Sequence, residues 1–426
     1  MKSLVISHAH PAFSIGGAQV AAYNLHDGIR AQPGWSSHFL AGVGPPVARH
    51  GQARLMSMGR GPDETCYWSD DFDWSYLGTP DIDGLMADFE RFLAELRPDI
   101  VNFHHVMGFG VQALHAVRRA LGDVPIVFTL HEYLAICPNH GQMIKTKTHA
   151  LCSRASPSDC GLCFPETGAA QMLRREFFLK RFLAEVDAFV SPSHFLLSRY
   201  ADWGLPPDRL VMIENGLVAD RPQPPRAAGH GRRNRFAFFG QLNPFKGIKV
   251  LVDAVSRIPA ADWGDSLLYV YGGNLEHQPE DFQVAVRDLL RRASGRIRFG
   301  GQYKSADLPD LISDVDWVIV PSTWWENAPV VIQEAQFHGR PIIASNIGGM
   351  AEKVRDGIDG LHFRVSSPVS LAETMVKAST TPGLWDRLHA GITPPTTAHE
   401  SGARHVALFE KLLARRTRDT RTLAAE

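Results

Sequence analysis

The chain has 426 residues, 44% of them hydrophobic and 21% charged, an ordinary balance for globular domains and enough length for two or three of them. A formal net charge of −1 argues against a nucleic-acid partner and against a global attraction to anionic surfaces. No apolar run approaches the roughly 20 residues that span a bilayer, and Met1–His10 reads as a first strand rather than a secretory leader, so a cytoplasmic location is expected.

In chain order, Leu4–Ser7 is a short apolar strand, followed by a Gly16-Gly17 turn and a helical pattern from Gln19 to Ile29. Cys66–Tyr76 is an aromatic and acidic segment. Ile100–Phe103, Ile126–Leu130 and Ala188–Ser191 read as further buried strands with helical segments between them, the signature of a parallel α/β sheet. Asn102–His105 and His131-Glu132-Tyr133 close two of these strands, at the sheet edge where ligands of such folds bind.

Cys137, Cys152, Cys160 and Cys163 fall within one 27-residue window, while Cys66 stands apart. In a cytosolic protein such a cluster is more often metal-binding or structural than disulfide-bonded. Four thiolates suit a tetrahedral structural zinc; plain packed thiols are the alternative. Residues 169–190 read as a helix carrying Arg174, Arg175, Lys180 and Arg181 beside Phe177, Phe178 and Phe182. That face suits either an anionic membrane surface or a packed helix with a solvated basic side.

Residues 221–234 are rich in Pro, Gly and Arg and read as a linker. A second alternation follows, with strands expected at Phe236–Phe239, Leu267–Tyr271, Arg296–Phe299, Trp317–Val320, Pro341–Ala344 and Leu361–Phe363. The expected division is an N-terminal domain over 1–220 with a cysteine-bearing insertion at 137–163, a linker over 221–234, a C-terminal domain over 235–395, and a helical segment over 396–426 packing back across the domains. The fold class is α/β, with two Rossmann-like doubly wound domains facing a central cleft.

Two stretches of the second half carry chemistry. In FAFFGQLNPFKGIKVL a buried strand runs into Gly240 and then Lys246-Gly247, so backbone can approach a phosphate closely beside a positive charge. In PSTWWENAPVVIQEAQFHGRP, Glu326 and Glu334 flank a turn that opens a helix, with Pro329 at the expected first helical position and Gly339 ending it. Amides at such a helix start attract phosphate, and carboxylates beside it accept sugar or ribose hydroxyl protons. Trp324 and Trp325 read as packing residues. The Asp-x-Asp triplets do not sit in a nucleotide-binding context, so no catalytic metal is expected.

The order of these pieces closely resembles the GT-B-fold retaining glycosyltransferases of family 4, the group 1 transferases. The resemblance rests on Phe239-Gly240…Lys246-Gly247, Gly272-Gly273, Pro321-Ser322…Glu326…Glu334-Ala335…Gly339-Arg340-Pro341 and Gly348-Gly349…Glu352. It implies that Lys246 holds the diphosphate of a nucleotide-sugar donor, that Glu334 binds the ribose, and that Glu326 with the backbone around Asn327, Ala328 and Val330 holds the sugar and diphosphate. Gly16, Gly17, Gly240, Gln241 and Gly272 complete the implied donor site, with Gln241 where the family usually has arginine. His131 matches a histidine near the transferred sugar and joins Lys246 and Glu326 as an implied catalytic residue. His104, Glu132 and Tyr133 are acceptor-side candidates, and the Cys66–Tyr76 segment is expected to help shape that side.

The implied reaction is a retaining hexosyl transfer with no required cofactor, to a glycan, lipid-linked or small-molecule acceptor, in polysaccharide, glycolipid or glycoconjugate synthesis. Peripheral association with the inner face of a membrane is compatible with it. The rivals are a sugar-nucleotide epimerase of the same fold and a catalytically weakened glycan-binding or scaffolding relative, the latter suggested by Gln241.

Overall fold

A computed structural model describes residues 1–14, 16–44, 53–57, 61–227, 232–293 and 295–423, with side chains through Arg416. The chain divides into two compact units, Met1–Val218 with Thr396–Glu426, and Ala219–Pro395.

The first unit is built on eight strands: β1 (Lys2–Ser7), β2 (Ser36–Val43), β3 (Leu55–Ser57), β4 (Glu64–Trp68), β5 (Ile100–Phe103), β6 (Ile126–Thr129), β7 (Ala188–Ser191) and β8 (Leu210–Met212). Their order is β3-β4-β2-β1-β5-β6-β7-β8, parallel throughout except for β3 against β4. β1 pairs Lys2 with Ser36 on one side and Ser3 with Ile100 on the other. The central strands are short apolar runs because helices cover both faces. Val5, Phe39, Ile100, Val127 and Val190 form one core with Val406, Phe409 and Leu412 of the C-terminal helix Ala398–Leu423. That helix also packs Phe409 against Trp35 and accepts the Trp35 indole N–H on Glu410 at 3.4 Å, both within the first unit.

The aromatic and acidic segment Cys66–Tyr76 begins inside the sheet: Cys66 and Tyr67 lie buried in β4, paired with Ala41 and Gly42 of β2. Two expectations for residues 169–190 need correction. The helix expected over 169–190 is Gly168–Leu183, and its chain re-enters the sheet at Ala188. Its basic face is also incomplete. Arg175 is buried and donates to the carbonyls of Ser75 (2.5 Å), Ala135 (2.7 Å) and Leu134 (2.5 Å). Lys180 pairs with Glu176 and lies 4.8 Å from the Trp203 ring centroid.

The second unit holds β9 (Arg235–Phe239), β10 (Leu267–Tyr271), β11 (Ile297–Gly301), β12 (Trp317–Val320), β13 (Ile342–Ser345) and β14 (Gly360–Phe363). Their order, β11-β10-β9-β12-β13-β14, is parallel throughout. Connections run outward in opposite directions from β9 and β12, so the switch point lies between these neighbours. Apolar residues on both faces are buried, Phe236, Phe238 and Ile319 toward one core and Ala237, Phe239 and Val318 toward the other.

Of the expected linker, 228–231 lie outside the described residues, but its flanks grip the second unit. Arg226 and Arg233 both reach the buried carboxylate of Asp316, at 2.5 and 3.3 Å, and the fully buried Arg340 donates to the carbonyls of Gln223 and Pro224. Asp314 is hydrogen-bonded by Tyr269. The Asp314–Asp316 triplet is thus used in structural contacts. Among the described residues, no helix is long and apolar enough to cross a membrane.

Candidate functional site

The switch point of the second unit brings together residues 80 positions apart. β9 leads into Gly240 and the Asn243–Lys246 turn, and β12 leads into Ser322–Glu326. The Lys246 ammonium meets Glu326 Oε1 at 2.7 Å. Ser322 Oγ and Trp324 Nε1 donate to the same oxygen at 2.8 and 2.9 Å. Burial pushes the Glu326 carboxyl toward its neutral form, but the Lys246 charge and these hydrogen bonds outweigh it and lower its pKa. The carboxylate is therefore a fixed anion whose second oxygen carries none of those three bonds. Lys246 has three N–H donors and spends one on Glu326.

Backbone geometry holds this pair. Asn243 Oδ1 accepts the amides of Phe245 and Lys246, both at 3.0 Å, forming the turn that presents Lys246. Gly247 sits at φ +75°, and a Cβ there would lie 1.8 Å from the Pro321 carbonyl oxygen, so the two loops approach this closely only through glycine. The end of β10 is equally tight: a Cβ on Gly272 would stand 2.0 Å from the Gly240 carbonyl oxygen. The Glu326 carbonyl accepts the Gly349 amide at 2.7 Å. Gln241 is exposed, with Asn243 Nδ2 3.4 Å from its Oε1.

Beyond Glu326 the chain passes through buried Asn327 and partly exposed Ala328 into the helix Val330–Phe337. Pro329 is its N-cap rather than its first residue, with ψ 122°. This leaves Val330 to open the first turn, where helix amides point outward and favour anions. Glu334 lies one turn in, and desolvation of its carboxyl raises its pKa to about 7. A folded value above the unfolded one means the folded state holds this proton more tightly. Stability therefore falls as pH rises from about 4.5 toward 7 and is flat beyond it. Glu334→Gln is expected to stabilise the second unit more at about pH 8 than at pH 5.5, by on the order of 1–2 kcal/mol. Equal gains in thermal unfolding at both pH values would show that the carboxyl is not desolvated.

In the first unit, the ends of β1, β5 and β6 collect histidines. His104 Nδ1 lies 2.9 Å from His131 Nε2, and Asn102 Nδ2 lies 3.5 Å from His104 Nε2. Thr129 fixes the Asn102 amide through a 3.1 Å bond. His105 Nε2 is 3.3 Å from Glu132 Oε1, and the rings of His8 and His105 stack edge-on at 4.7 Å. Burial, with help from neighbouring histidines, lowers His131 to about 3 and His8 to about 2, and holds His104 well below its usual range. These rings are neutral at pH 7 and act as hydrogen-bonding groups. Tyr133 is buried. Gly16 is the N-cap of the helix Gly17–Arg30 after β1.

The structure thus brings Lys246 and Glu326 into contact, places Glu334 one turn beyond, and joins His104 to His131. Sequence reasoning missed Ser322, Trp324 and Asn243 as supports of the pair. The Asn-Pro dipeptide was a readable turn signal for Asn243. It also missed His8 and His105, whose positions at strand ends gave the same signal as His104.

Residues 15–221 match the family model for Glycosyltransferase Family 4, and residues 233–380 match that for Glycosyl transferases group 1. The chain carries both of these glycosyltransferase domains. Curated relatives that the chain matches include D-inositol 3-phosphate glycosyltransferases. That of Corynebacterium aurimucosum is 26% identical over 66% of this chain and 63% of its own length. That of Corynebacterium glutamicum is 30% identical over 40% of this chain and 43% of its own. The chain thus spans less than two thirds of the length of either relative. Among solved structures, Anabaena HepE in complex with UDP-glucose superposes with a TM-score of 0.61 at 16% identity, covering 98% of this chain and 100% of that one. Sucrose-phosphate synthase of Thermosynechococcus elongatus superposes with a TM-score of 0.66 at 17% identity over 100% of both chains. At such identities the likeness shows the fold, which is GT-B.

Proposed function

We propose that this glycosyltransferase chain moves a sugar from a nucleotide-diphosphate donor to an acceptor hydroxyl with retention at the anomeric carbon. The observation that carries the reading is the Lys246–Glu326 pair at the switch point, just before the helix Val330–Phe337 that carries the desolvated Glu334 one turn in. In this reading the remaining Lys246 donors and the first amides of the helix Val330–Phe337 receive the diphosphate, and Glu334 accepts the ribose hydroxyl protons. The second oxygen of Glu326 holds the sugar. The leaving diphosphate gains negative charge as the glycosidic bond breaks, and a fixed ammonium with oriented amides stabilises it at little reorganisation cost. HepE, a structural neighbour, is described with UDP and UDP-glucose, which supports a uridine nucleotide as the first donor to try.

On the acceptor side, His131 orients the sugar as a neutral hydrogen-bonding group, held by His104, while Glu132 and His105 line the same strand ends. Retention follows if the departing phosphate itself takes the acceptor's proton on the face it leaves, so that no protein nucleophile is needed. Proton NMR of the sugar first released from the donor, with water as acceptor, tests this. The released sugar is expected to carry the donor's own anomeric configuration before mutarotation. The opposite anomer would rule out retention.

A further inference from the structure

The chain between β6 and the helix Gly168–Leu183 contains little regular structure: the short helix Pro157–Cys163 and an isolated bridge from Ile144 to Leu151. It is nevertheless compact, with Ile136, Met143 and Ile144 buried. His140, Met143 and His149 are held at φ near +50°, a conformation that costs on the order of 1 kcal/mol or more per non-glycine residue and needs outside support. Cys137, Cys152, Cys160 and Cys163 arrive from three places along this segment and line one cavity of about 20 Å³, closed on its apolar side by Met143, Ile144 and Phe164. We propose that these four cysteines bind a single structural zinc ion.

Three further features fit that occupant. Backbone amides of Asn139 and Met143 lie within hydrogen-bonding reach of the Cys137 sulfur, the kind of outer contact that metal-bound cysteine sulfurs receive. A zinc tetrathiolate carries a net charge of −2; two cations, Lys145 lining the cavity and Arg175 near Cys137 and Cys160, outnumber the one carboxylate there, Asp159. The cavity has room for one ion or one water. Among the described residues no three side chains already form a coordinating group. The sulfurs must therefore draw in as the ion binds. Each thiol loses its proton to solvent as its S–Zn bond forms, zinc sheds its water ligands, and no electron transfer is involved. The ion fastens the segment that leaves β6 just after His131 and Glu132. Thr146 Oγ1 donating to the Cys163 carbonyl (2.8 Å) and Arg199 donating to the Ser153 carbonyl (2.6 Å) tie the same segment down.

The test is elemental analysis of the full chain purified without added metal. About one zinc per chain is expected, retained in Cys66→Ser and lost in Cys137→Ser and Cys160→Ser. Should those variants fail to fold, titrating the wild-type protein with a mercurial must release the zinc stoichiometrically, and cobalt exchanged into the protein must show the absorption of a tetrahedral thiolate site. Less than about a tenth of an equivalent of zinc, iron in its place, or a native Cys160–Cys163 disulfide found by mass spectrometry would overturn the proposal.

Discussion

On acidification from about pH 7.5 to pH 5, the first unit is expected to lose most of its stability while the second loses little. The cause is the set of histidines that the first unit buries in neutral form. Desolvation lowers His8 to about 2, His26 to about 3, His131 to about 3 and His405 to about 4, and holds His104 far below its usual value. A folded value below the unfolded one means that the unfolded chain binds the extra proton. The stability contributed by each group is fully present above pH 6.5 and is lost as pH falls toward its folded value. At pH 5 one such histidine costs on the order of 2 kcal/mol, and several together rival the 5–15 kcal/mol that holds a typical domain. In the second unit only His338 is lowered in this way among the described residues, to about 4. Calorimetry at the two pH values, with hydrogen exchange to assign each transition, should show the first unit's melting temperature falling by more than about 20 °C. Equal shifts in both units would contradict the burial of these rings.

Lys246→Met is expected to weaken nucleotide-sugar binding by about 100-fold or more, because a charge-assisted contact to the diphosphate is lost. It should also destabilise the second unit by on the order of 2 kcal/mol, since Glu326 is left buried without its cation. Glu326 keeps its bonds from Ser322 and Trp324, which limits that cost. The pair is informative as a cycle. Lys246→Met with Glu326→Gln removes the stranded charge and should recover most of the stability, while binding stays lost. If binding returned with stability, Lys246 would be a structural partner of Glu326 and nothing more. Urea unfolding beside calorimetric titration separates the two outcomes.

The second unit was legible in the sequence because its chemistry sits where strands end. β9 and β12 each hold a four-residue apolar run followed by glycine or proline, and parallel α/β topology sets such strand ends side by side. Lys246 and Glu326 could therefore be placed together across 80 residues. Their supports were harder to see. Trp324 read as a packing residue because its ring does pack, 6.0 Å from that of Phe245, while its N–H serves Glu326.

The first unit was less legible. β2 and β4 carry polar residues, Ser37, His38, Glu64 and Thr65, whose partners lie on other elements: His38 Nε2 is 2.8 Å from Thr65 Oγ1, Ser37 Oγ is 2.9 Å from His26 Nδ1, and Tyr23 donates to Glu64 at 2.9 Å. Local periodicity cannot register such a pairing. Arg175 looked like part of a basic face because its neighbours are charged; its burial depends on three carbonyls from positions 75, 134 and 135.

The central claim is that the second unit seats a nucleotide diphosphate sugar between Lys246, Glu326 and Glu334. A thermal-shift panel of nucleotide sugars, uridine donors first, on the wild-type chain and on Glu334→Ala and Lys246→Ala tests it most directly. At least one donor is expected to raise the melting temperature of the wild type, with no response in either variant. No stabilisation by any donor, or stabilisation that survives in both variants, would contradict it.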